Sequence, residues 1–254
     1  MSDYEMIFKR KSFHIFHNIE PLTEDDLKEV QKIIDSVTPL DDTIRVKMKL
    51  VPSAQTQNRS KPEYCIEFFS EVKGEYLRNI GYIGEQIDLR LAERNIGGLW
   101  LGLGRPDVEA EDGLAYVIMI GIGKLTEDRF RTDMFKAKRK PLEEGWQGDT
   151  LGVGEIVRFT PSACNGQPWI SVNDGNQISV YRYKKPGRTG MIPLELTRYY
   201  NRIDIGIYLY MLEVCLQHEG YNYTRRMVDE IVPDQVPEGE EQVLVAEYGF
   251  AEEN

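Results

Sequence analysis

Two stretches of this chain combine residue types that bind small polar ligands. Near the N-terminus, Arg10-Lys11-Ser12 supplies a guanidinium, an ammonium and a hydroxyl in consecutive positions, and this set suits an anion. In the second stretch, Pro161-Ser-Ala163 fixes one backbone torsion and is small enough for a ligand to approach the main chain. Asn165 and Gln167 follow at once and add side-chain amides, which both donate and accept hydrogen bonds.

Two basic runs stand out in a chain whose formal net charge is −11. They are Lys9-Arg-Lys11 and Lys136-Ala-Lys-Arg-Lys140. Most charge runs are solvated faces, and that interpretation stays open for both. The overall acidic charge repels a phosphate backbone and therefore excludes a general nucleic-acid binder.

The segment Pro161 to Trp169, Pro-Ser-Ala-Cys-Asn-Gly-Gln-Pro-Trp, resembles the Pro-Ser-x-x-Asn-x-Gln-Pro-Trp signature of nitroreductase-type flavoproteins. Residues 10–16, Arg-Lys-Ser-Phe-His-Ile-Phe, are similar to that family's Arg-x-Ser-x-basic-x-Phe segment. The resemblance extends from about Tyr4 to about Gly220. A plain turn is the alternative for the first motif, because Pro, Ser, Asn and Gly are frequent in turns.

The resemblance implies that the chain binds flavin mononucleotide (FMN) and uses NAD(P)H as a transient co-substrate. The residues that it assigns to the flavin are Arg10, Lys11, Ser12, His14, Arg139, Pro161, Ser162, Ala163, Asn165 and Gln167. His14 departs from the family, which has Lys or Arg there, so the phosphate affinity is expected to be weaker or pH-dependent. No catalytic side chain is implied, because the flavin carries the hydride chemistry.

Other cofactor chemistry has no support in the sequence. The chain has no Gly-x-Gly-x-x-Gly fingerprint, no Walker A motif, and neither His-Glu-x-x-His nor Cys-x-x-Cys, so no metal site is expected. Cys164 lies inside the Pro-Ser motif but has no nearby histidine to serve as its base, so it is interpreted as a small packing residue.

The composition indicates a soluble globular protein of 254 residues. No apolar run approaches the roughly 20 residues of a membrane-spanning helix, and the N-terminus does not have the pattern of a signal peptide. Three scattered cysteines favour reduced thiols and a cytoplasmic location.

Residue periodicity predicts an α+β protein. Helices are predicted near residues 3–10, after a Thr23–Asp26 capping pair, over 84–95 extending back to Ile83, and over 202–218. Strands are predicted over 44–50, 64–69, 115–122 and 242–248, with a hairpin formed by 170–172 and 177–183. Residues 233–241 are predicted to be an acidic, Pro-containing linker.

A repeated pattern indicates internal duplication. Val51-Pro-Ser-Ala54 parallels Thr160-Pro-Ser-Ala163, and Gln86-Ile-Asp-Leu89 parallels Arg202-Ile-Asp-Ile205 at a similar separation. We therefore expect a nitroreductase-like fold, a mixed sheet flanked by helices, duplicated as a pseudo-dimer with halves 1–150 and 151–254. One flavin is expected per chain, between the halves, and the duplication makes a monomer possible.

The resulting functional hypothesis is an FMN-dependent oxidoreductase that moves hydride from NAD(P)H through flavin N5 to a small aromatic or quinone-like acceptor. Three alternatives stay open at this point. The first is a related dehalogenase or dehydrogenase, the second is a flavin-binding or sensory protein without turnover, and the third is an interaction scaffold without a cofactor.

Overall fold

The structure is a computed structural model that describes residues 2–17, 19–229, 238–239 and 241–250. It divides into two compact units, Met1–Met134 and Phe135–Asn254. Most of the linker predicted over residues 233–241 lies outside the described residues. Within the described part of the chain, no helix has the length and apolar character needed to cross a membrane.

The described residues of the first unit form three α-helices and seven strands. They are α1 (Asp3–Lys9), α2 (Glu24–Asp35), β1 (Val46–Pro52), β2 (Thr56–Gln57), β3 (Tyr64–Ser70), α3 (Tyr76–Glu93), β4 (Ile96–Trp100), β5 (Arg105–Pro106), β6 (Ala110–Glu111) and β7 (Leu114–Lys124). The predicted cap of α2 is confirmed, because the side chains of Thr23 and Asp26 each accept from the other's backbone N–H.

The main sheet of the first unit has five antiparallel strands. Its order is β1-β3-β7-β4, and β6 pairs with the start of β7. Strand β7 is central and mostly buried, as its continuous apolar run predicts. Helix α3 packs against this sheet and is buried along nearly its whole length, including polar residues such as Glu85 and Asp88. The carboxyl groups of Glu85 and Asp88 are therefore shielded from water inside the first unit.

In the part of the second unit that the structure describes, there are three α-helices and five strands. They are α4 (Leu142–Gly145), β8 (Trp146–Gln147), α5 (Gly154–Val157), β9 (Trp169–Asn173), β10 (Gln177–Arg182), α6 (Thr197–His218), β11 (Tyr223–Met227) and β12 (Val243–Phe250). The sheet order is β11-β12-β10-β9-β8, and the β8–β9 pair is parallel, so this sheet is mixed. Helix α6 is buried through most of its length, which confirms the predicted buried helix.

The boundary between the two units falls between residues 134 and 135, whereas the sequence pattern predicts halves 1–150 and 151–254. The segment 135–150 belongs with the second unit for a physical reason. Trp146 pairs with Ser171 across the β8–β9 ladder, and Arg139 donates to Asn165. Both units therefore combine a long buried helix with a five-stranded sheet, while the duplication itself stays a prediction.

Candidate functional site

The segment that carries Arg10 and Ser12 lies along β4 of the first unit. Ser12 forms a parallel bridge with Gly98, and the backbone N–H of Phe13 donates to the carbonyl of Gly98 at 3.1 Å. A Cβ atom added to Gly98 would lie 2.4 Å from Oδ1 of Asp88. Glycine at position 98 thus lets the Asp88 carboxylate approach the strand on which the segment docks.

Arg10 is tied to Asp88 in the interior of the first unit. Its Nε and Nη2 both lie 2.7 Å from Oδ2 of Asp88, and Nη2 also donates to Oγ of Ser12 at 3.3 Å. Burial acts to lower the pKa of Arg10, but attraction by Asp88 and Glu85 outweighs it, so the pKa is raised. The sequence predicted Arg10 as a phosphate ligand; in the structure its charge is already compensated by Asp88.

Glu85 lies one turn before Asp88 on α3 and is fully buried. Neither carboxyl oxygen has a hydrogen-bond partner among the described residues. Burial raises the pKa of Glu85 well above its ordinary value, with attraction by Arg10 opposing that rise and repulsion by Asp88 adding to it. Glu85 is therefore a buried carboxyl group beside the Arg10–Asp88 pair, where burial favours its protonated form. No motif in the sequence points to it.

Three further cations surround the Ser12 segment, and we call Lys11, Arg129 and Arg131 the cation cluster. Arg129 donates from Nη2 to the carbonyl of Ile15 at 3.1 Å, and the backbone N–H of Arg131 donates to the carbonyl of Lys9 at 3.0 Å. These bonds fasten residues 129–131 to residues 9–15.

The cation cluster has little compensation by acids. Burial lowers the pKa of Lys11, repulsion by Arg129 and Arg131 lowers it further, and only Asp128 acts in the opposite direction. Burial and then repulsion by Arg10 lower the pKa of Arg131. Within the described part of the chain, neither Lys11 nor Arg131 has a salt bridge to a carboxylate. The Arg129-x-Arg131 pair lies outside the two basic runs, so the charge pattern of the sequence does not single it out.

His14, the remaining predicted phosphate ligand of the first stretch, is exposed. It lies one residue beyond the buried Phe13 ring, which packs edge-on against Phe130 with 5.1 Å between ring centroids. The Phe13–Phe130 contact anchors the segment, while the imidazole of His14 faces solvent.

In the second unit, residues 161–167 form a strained loop, which we call the Pro-Ser loop. Residues Ala163–Asn165 make one turn of 3₁₀-helix, and the backbone angle φ is positive at Cys164 (49°), Asn165 (58°) and Gln167 (48°). Non-glycine residues rarely adopt this left-handed region, and such strain is concentrated at ligand clamps and active sites. Cys164 is exposed, which corrects its interpretation as a packing residue.

The neighbouring basic segment 138–140 holds one side of the Pro-Ser loop. Asn165 accepts from Nη1 of Arg139 at 3.1 Å and donates to the carbonyl of Lys138 at 3.1 Å. Gln167 accepts from the backbone N–H of Lys140 at 2.9 Å, and its carbonyl accepts from the ammonium of Lys140 at 3.0 Å. The two amides expected at the flavin therefore bind protein groups here.

The sequence pattern groups Arg139 with the first half, whereas in the structure it lies in the second unit. Besides Asn165, the Arg139 guanidinium donates to the carbonyls of Lys138 (2.8 Å) and Phe159 (2.9 Å). All of these partners belong to the second unit. Its role in this structure is to hold the Pro-Ser loop.

Asp204 on α6 holds the other side of the Pro-Ser loop. Its Oδ1 accepts from the backbone N–H of Ala163 at 2.8 Å, while Oδ2 is buried without a hydrogen-bond partner among the described residues. Burial raises the pKa of Asp204 to about 8, and the bond from Ala163 opposes that rise. A pKa in this range favours the protonated form of the carboxyl group at neutral pH. Ser162 adds an internal contact, accepting from the N–H of Gln167 at 2.9 Å.

The described residues contain no group of three or more His, Cys, Asp or Glu side chains that could hold a metal ion. The chemistry concentrated in the two units is instead that of cations, hydroxyls and backbone amides. Two α+β units, one carrying a clustered cation segment and the other a strained Pro-Ser loop, define a protein of the nitroreductase-fold class.

The chain belongs to the nitroreductase family described as "Putative TM nitroreductase", whose family model matches residues 3–215. Membership places it among proteins of oxidoreductase type. The match spans both units and includes the cation cluster, the Pro-Ser loop and Asp204.

Several solved structures are similar to this chain. A crystal structure described as a putative nitroreductase from Thermotoga maritima MSB8 is similar over 90% of this chain and 91% of that chain, with 21% identity and a TM-score of 0.58. A nitroreductase family protein from Clostridium novyi NT covers 50% of this chain and 87% of its own, at 18% identity and a TM-score of 0.39. An FMN-dependent nitroreductase from Clostridium difficile R20291 covers 54% and 98%, at 15% identity and a TM-score of 0.40. No curated protein matches the chain.

Proposed function

We propose that this protein is an FMN-dependent oxidoreductase that takes hydride from NAD(P)H and reduces a small aromatic or quinone-like acceptor. The observation that carries the proposal is the strained Pro-Ser loop, held on both sides, in a chain of the nitroreductase family. Strain of this kind costs about 1–3 kcal/mol per residue and persists where the surrounding structure enforces it for a function.

The residues of the first unit fit a phosphate monoester. Lys11 and Arg131 have lowered pKa values and repel each other, so a bound dianion would relieve that repulsion and restore them. Ser12 adds a hydroxyl next to them. We assign the FMN phosphate to Lys11, Ser12 and Arg131, with Arg10 and Arg129 fixing the backbone and side chains of this segment.

The residues of the second unit fit the flat part of the cofactor. The Pro-Ser loop offers backbone groups with little side-chain bulk at Ser162 and Ala163, and both are only partly buried. Asn165 and Gln167 keep further hydrogen-bonding capacity, because an amide side chain has two donors and an acceptor with two lone pairs. When bound, FMN would supply the hydride transfer, and the protein would orient the reactants and exclude water.

Turnover tests this function directly. We expect the FMN-loaded protein to oxidise NADH or NADPH with a simple quinone or nitroaromatic acceptor, and to lose that activity when FMN is replaced by riboflavin at the same concentration. A matched control is Arg45→Ala, which changes an exposed arginine of the first unit paired with Glu71 and should leave turnover unchanged. Tight FMN binding without NAD(P)H oxidation would instead indicate a flavin-binding protein without turnover.

A further inference from the structure

The Pro-Ser loop adopts a strained backbone conformation that other parts of the second unit must maintain. Three of its four residues from Cys164 to Gln167 have positive φ without being glycine. An isolated turn would relax out of this arrangement, so the loop must be fixed by contacts outside itself. Two sets of contacts do this: the basic segment 138–140 and the side chain of Asp204.

These two anchors differ in kind. The contacts from residues 138–140 reach Asn165 and Gln167, and those involving Asn165 are exposed to solvent, where each is individually weak. Asp204 is 3% exposed and binds the backbone N–H of Ala163, the residue immediately before the first positive-φ position. That bond fixes the orientation of the peptide between Ser162 and Ala163, and hence the direction in which the strained turn begins.

We propose that Asp204 is a positioning residue that holds the Pro-Ser loop in the conformation that receives the flavin ring. It acts through the Ala163 amide and does not itself contact the cofactor. Without the carboxyl oxygen, the Ala163 N–H would lack its acceptor, and the peptide would rotate toward water. The backbone of Ser162 and Ala163 would then no longer form the rigid surface proposed to receive the flavin ring.

The long helix of the first unit carries an aspartate in a similar sequence context, but its partner is different. Asp88 pairs with Arg10, whereas Asp204 has no salt bridge to any described residue and accepts from a backbone amide. The Pro-Ser-Ala stretch of the first unit, at residues 52–54, is instead stabilised by Asn58, which donates to Oγ of Ser53 at 3.0 Å. This difference favours a flavin-specific role for Asp204 over a requirement common to both Pro-Ser-Ala turns.

The inference rests on the proposed function, and three variants test it on the full chain. Asp204→Ala removes the acceptor, and Asp204→Asn keeps an oxygen acceptor at the same position. Glu213→Ala is the matched control, because it removes another buried carboxylate of α6 that binds Arg225 and Tyr248 instead of the loop. Each variant is measured for FMN dissociation constant, riboflavin dissociation constant, hydrogen exchange of the loop amides, and alkylation rate of Cys164 in the apo protein. Cys65 and Cys215 are buried, so alkylation reports on the loop.

We expect Asp204→Ala to weaken the binding of FMN and of riboflavin alike by about tenfold, the effect of removing the acceptor of one part-buried hydrogen bond. It should also speed loop exchange and Cys164 alkylation. Asp204→Asn should restore wild-type values, and Glu213→Ala should lower stability without changing any loop readout. If Asp204→Ala fails to fold, the test rests on Asp204→Asn: weaker binding of both flavins together with faster loop exchange in this variant would contradict the proposed use of an oxygen acceptor.

The outcomes separate this inference from the proposed function. If the wild-type chain binds no flavin, the proposed function fails, and the inference about a flavin-positioning residue fails with it; exchange and alkylation then show whether Asp204 still orders the loop. If the wild type binds FMN, unchanged affinity in Asp204→Ala overturns the inference alone, even when exchange increases. Loss of FMN affinity with unchanged exchange and alkylation also overturns it, because Asp204 would then act by another route.

Discussion

Arg10 and Asp88 form a buried ion pair in the first unit, with 2.7 Å between Nε of Arg10 and Oδ2 of Asp88. Both side chains are almost completely shielded from water, at 6% and 1% exposure. A buried pair of this kind is strongly destabilised when one partner is removed, because the other charge is left uncompensated. Arg10 is therefore a structural residue as well as a candidate neighbour of the phosphate.

A double-mutant cycle tests this relationship. We expect Arg10→Met to lower the free energy of unfolding by about 3–5 kcal/mol, and Asp88→Leu to have a similar cost. The combined variant Arg10→Met/Asp88→Leu should cost much less than the sum, since it leaves no unpaired buried charge. Urea unfolding measures all four proteins. The exposed pair Arg45–Glu71 is the control, with an expected coupling below about 1 kcal/mol. Additive costs for Arg10 and Asp88 would contradict the account.

Gly98 is predicted to be necessary for the same pair. A methyl group at this position would lie 2.4 Å from Oδ1 of Asp88, which is too close for an atom in contact. Gly98→Ala should therefore displace Asp88 and destabilise the protein by about 1–3 kcal/mol, the usual cost of overpacking. Gly249→Ala provides a matched strand glycine, because its added carbon would meet Oγ1 of Thr224 at an ordinary 3.5 Å. Thermal unfolding of both variants tests this prediction. Equal unfolding midpoints for Gly98→Ala and Gly249→Ala would contradict the predicted clash.

The cation cluster makes a prediction that separates phosphate binding from ring binding. Arg131→Ala should weaken FMN by about 10- to 100-fold, the effect expected for losing hydrogen bonds to a charged group. Riboflavin lacks the phosphate, so its affinity should stay the same. Lys11→Ala should follow the same pattern, and Arg45→Ala should change neither affinity. Fluorescence titration of both flavins measures this, and equal losses for FMN and riboflavin would assign the cluster a different role.

The raised pKa of Asp204 predicts a specific pH dependence of stability. Its pKa is about 8 in the folded protein, against an ordinary value of 3.8. Between these values the folded state holds a proton that the unfolded state has released, so this contribution is fully present below about pH 4 and lost as the pH rises through 8. The slope is about −1.4 kcal/mol per pH unit.

Asp204→Asn cannot titrate, so the difference in unfolding free energy between this variant and wild type isolates the contribution. We expect the unfolding free energy of Asp204→Asn, relative to that of wild type, to increase steadily from pH 5 to 8. Urea unfolding at each pH measures this difference. Asp174→Asn is the control: Asp174 is exposed, and hydrogen bonds from the backbone of Asn176 and Gln177 lower its pKa. A constant difference between Asp204→Asn and wild type across this range would show that Asp204 is ionised in the folded protein.

The sequence correctly predicts those secondary-structure elements whose signals lie within a few neighbouring residues. The Thr23–Asp26 cap, the apolar run of β7 and the turn residues between β9 and β10 each act within a few positions, and all three elements are confirmed. Helix α3 begins at Tyr76, well before the predicted start, because buried polar residues interrupt its apolar pattern. Asn79 is one of these, and its side chain accepts from the backbone N–H of Leu40 at 2.8 Å, a contact that no periodicity indicates.

The candidate site was only partly visible in the sequence. The Pro-Ser motif gave the position of the loop, but its clamping by Arg139 and Asp204 depends on contacts between distant parts of the chain. Asp88 and Asp204 belong to a repeated sequence pattern that indicates duplication, and the pattern assigns them no function because charges on helices are usually solvated. The signal that could have found them is an aspartate repeated within two otherwise apolar helical stretches.

The most direct test of the central claim is a stoichiometric titration of the purified chain with FMN, followed by anaerobic addition of NADH or NADPH. We predict one FMN bound per chain and complete bleaching of its visible absorbance by at least one of the two nucleotides, with the colour restored by a quinone. A chain that binds no FMN, or whose bound FMN neither nucleotide reduces, would contradict the account.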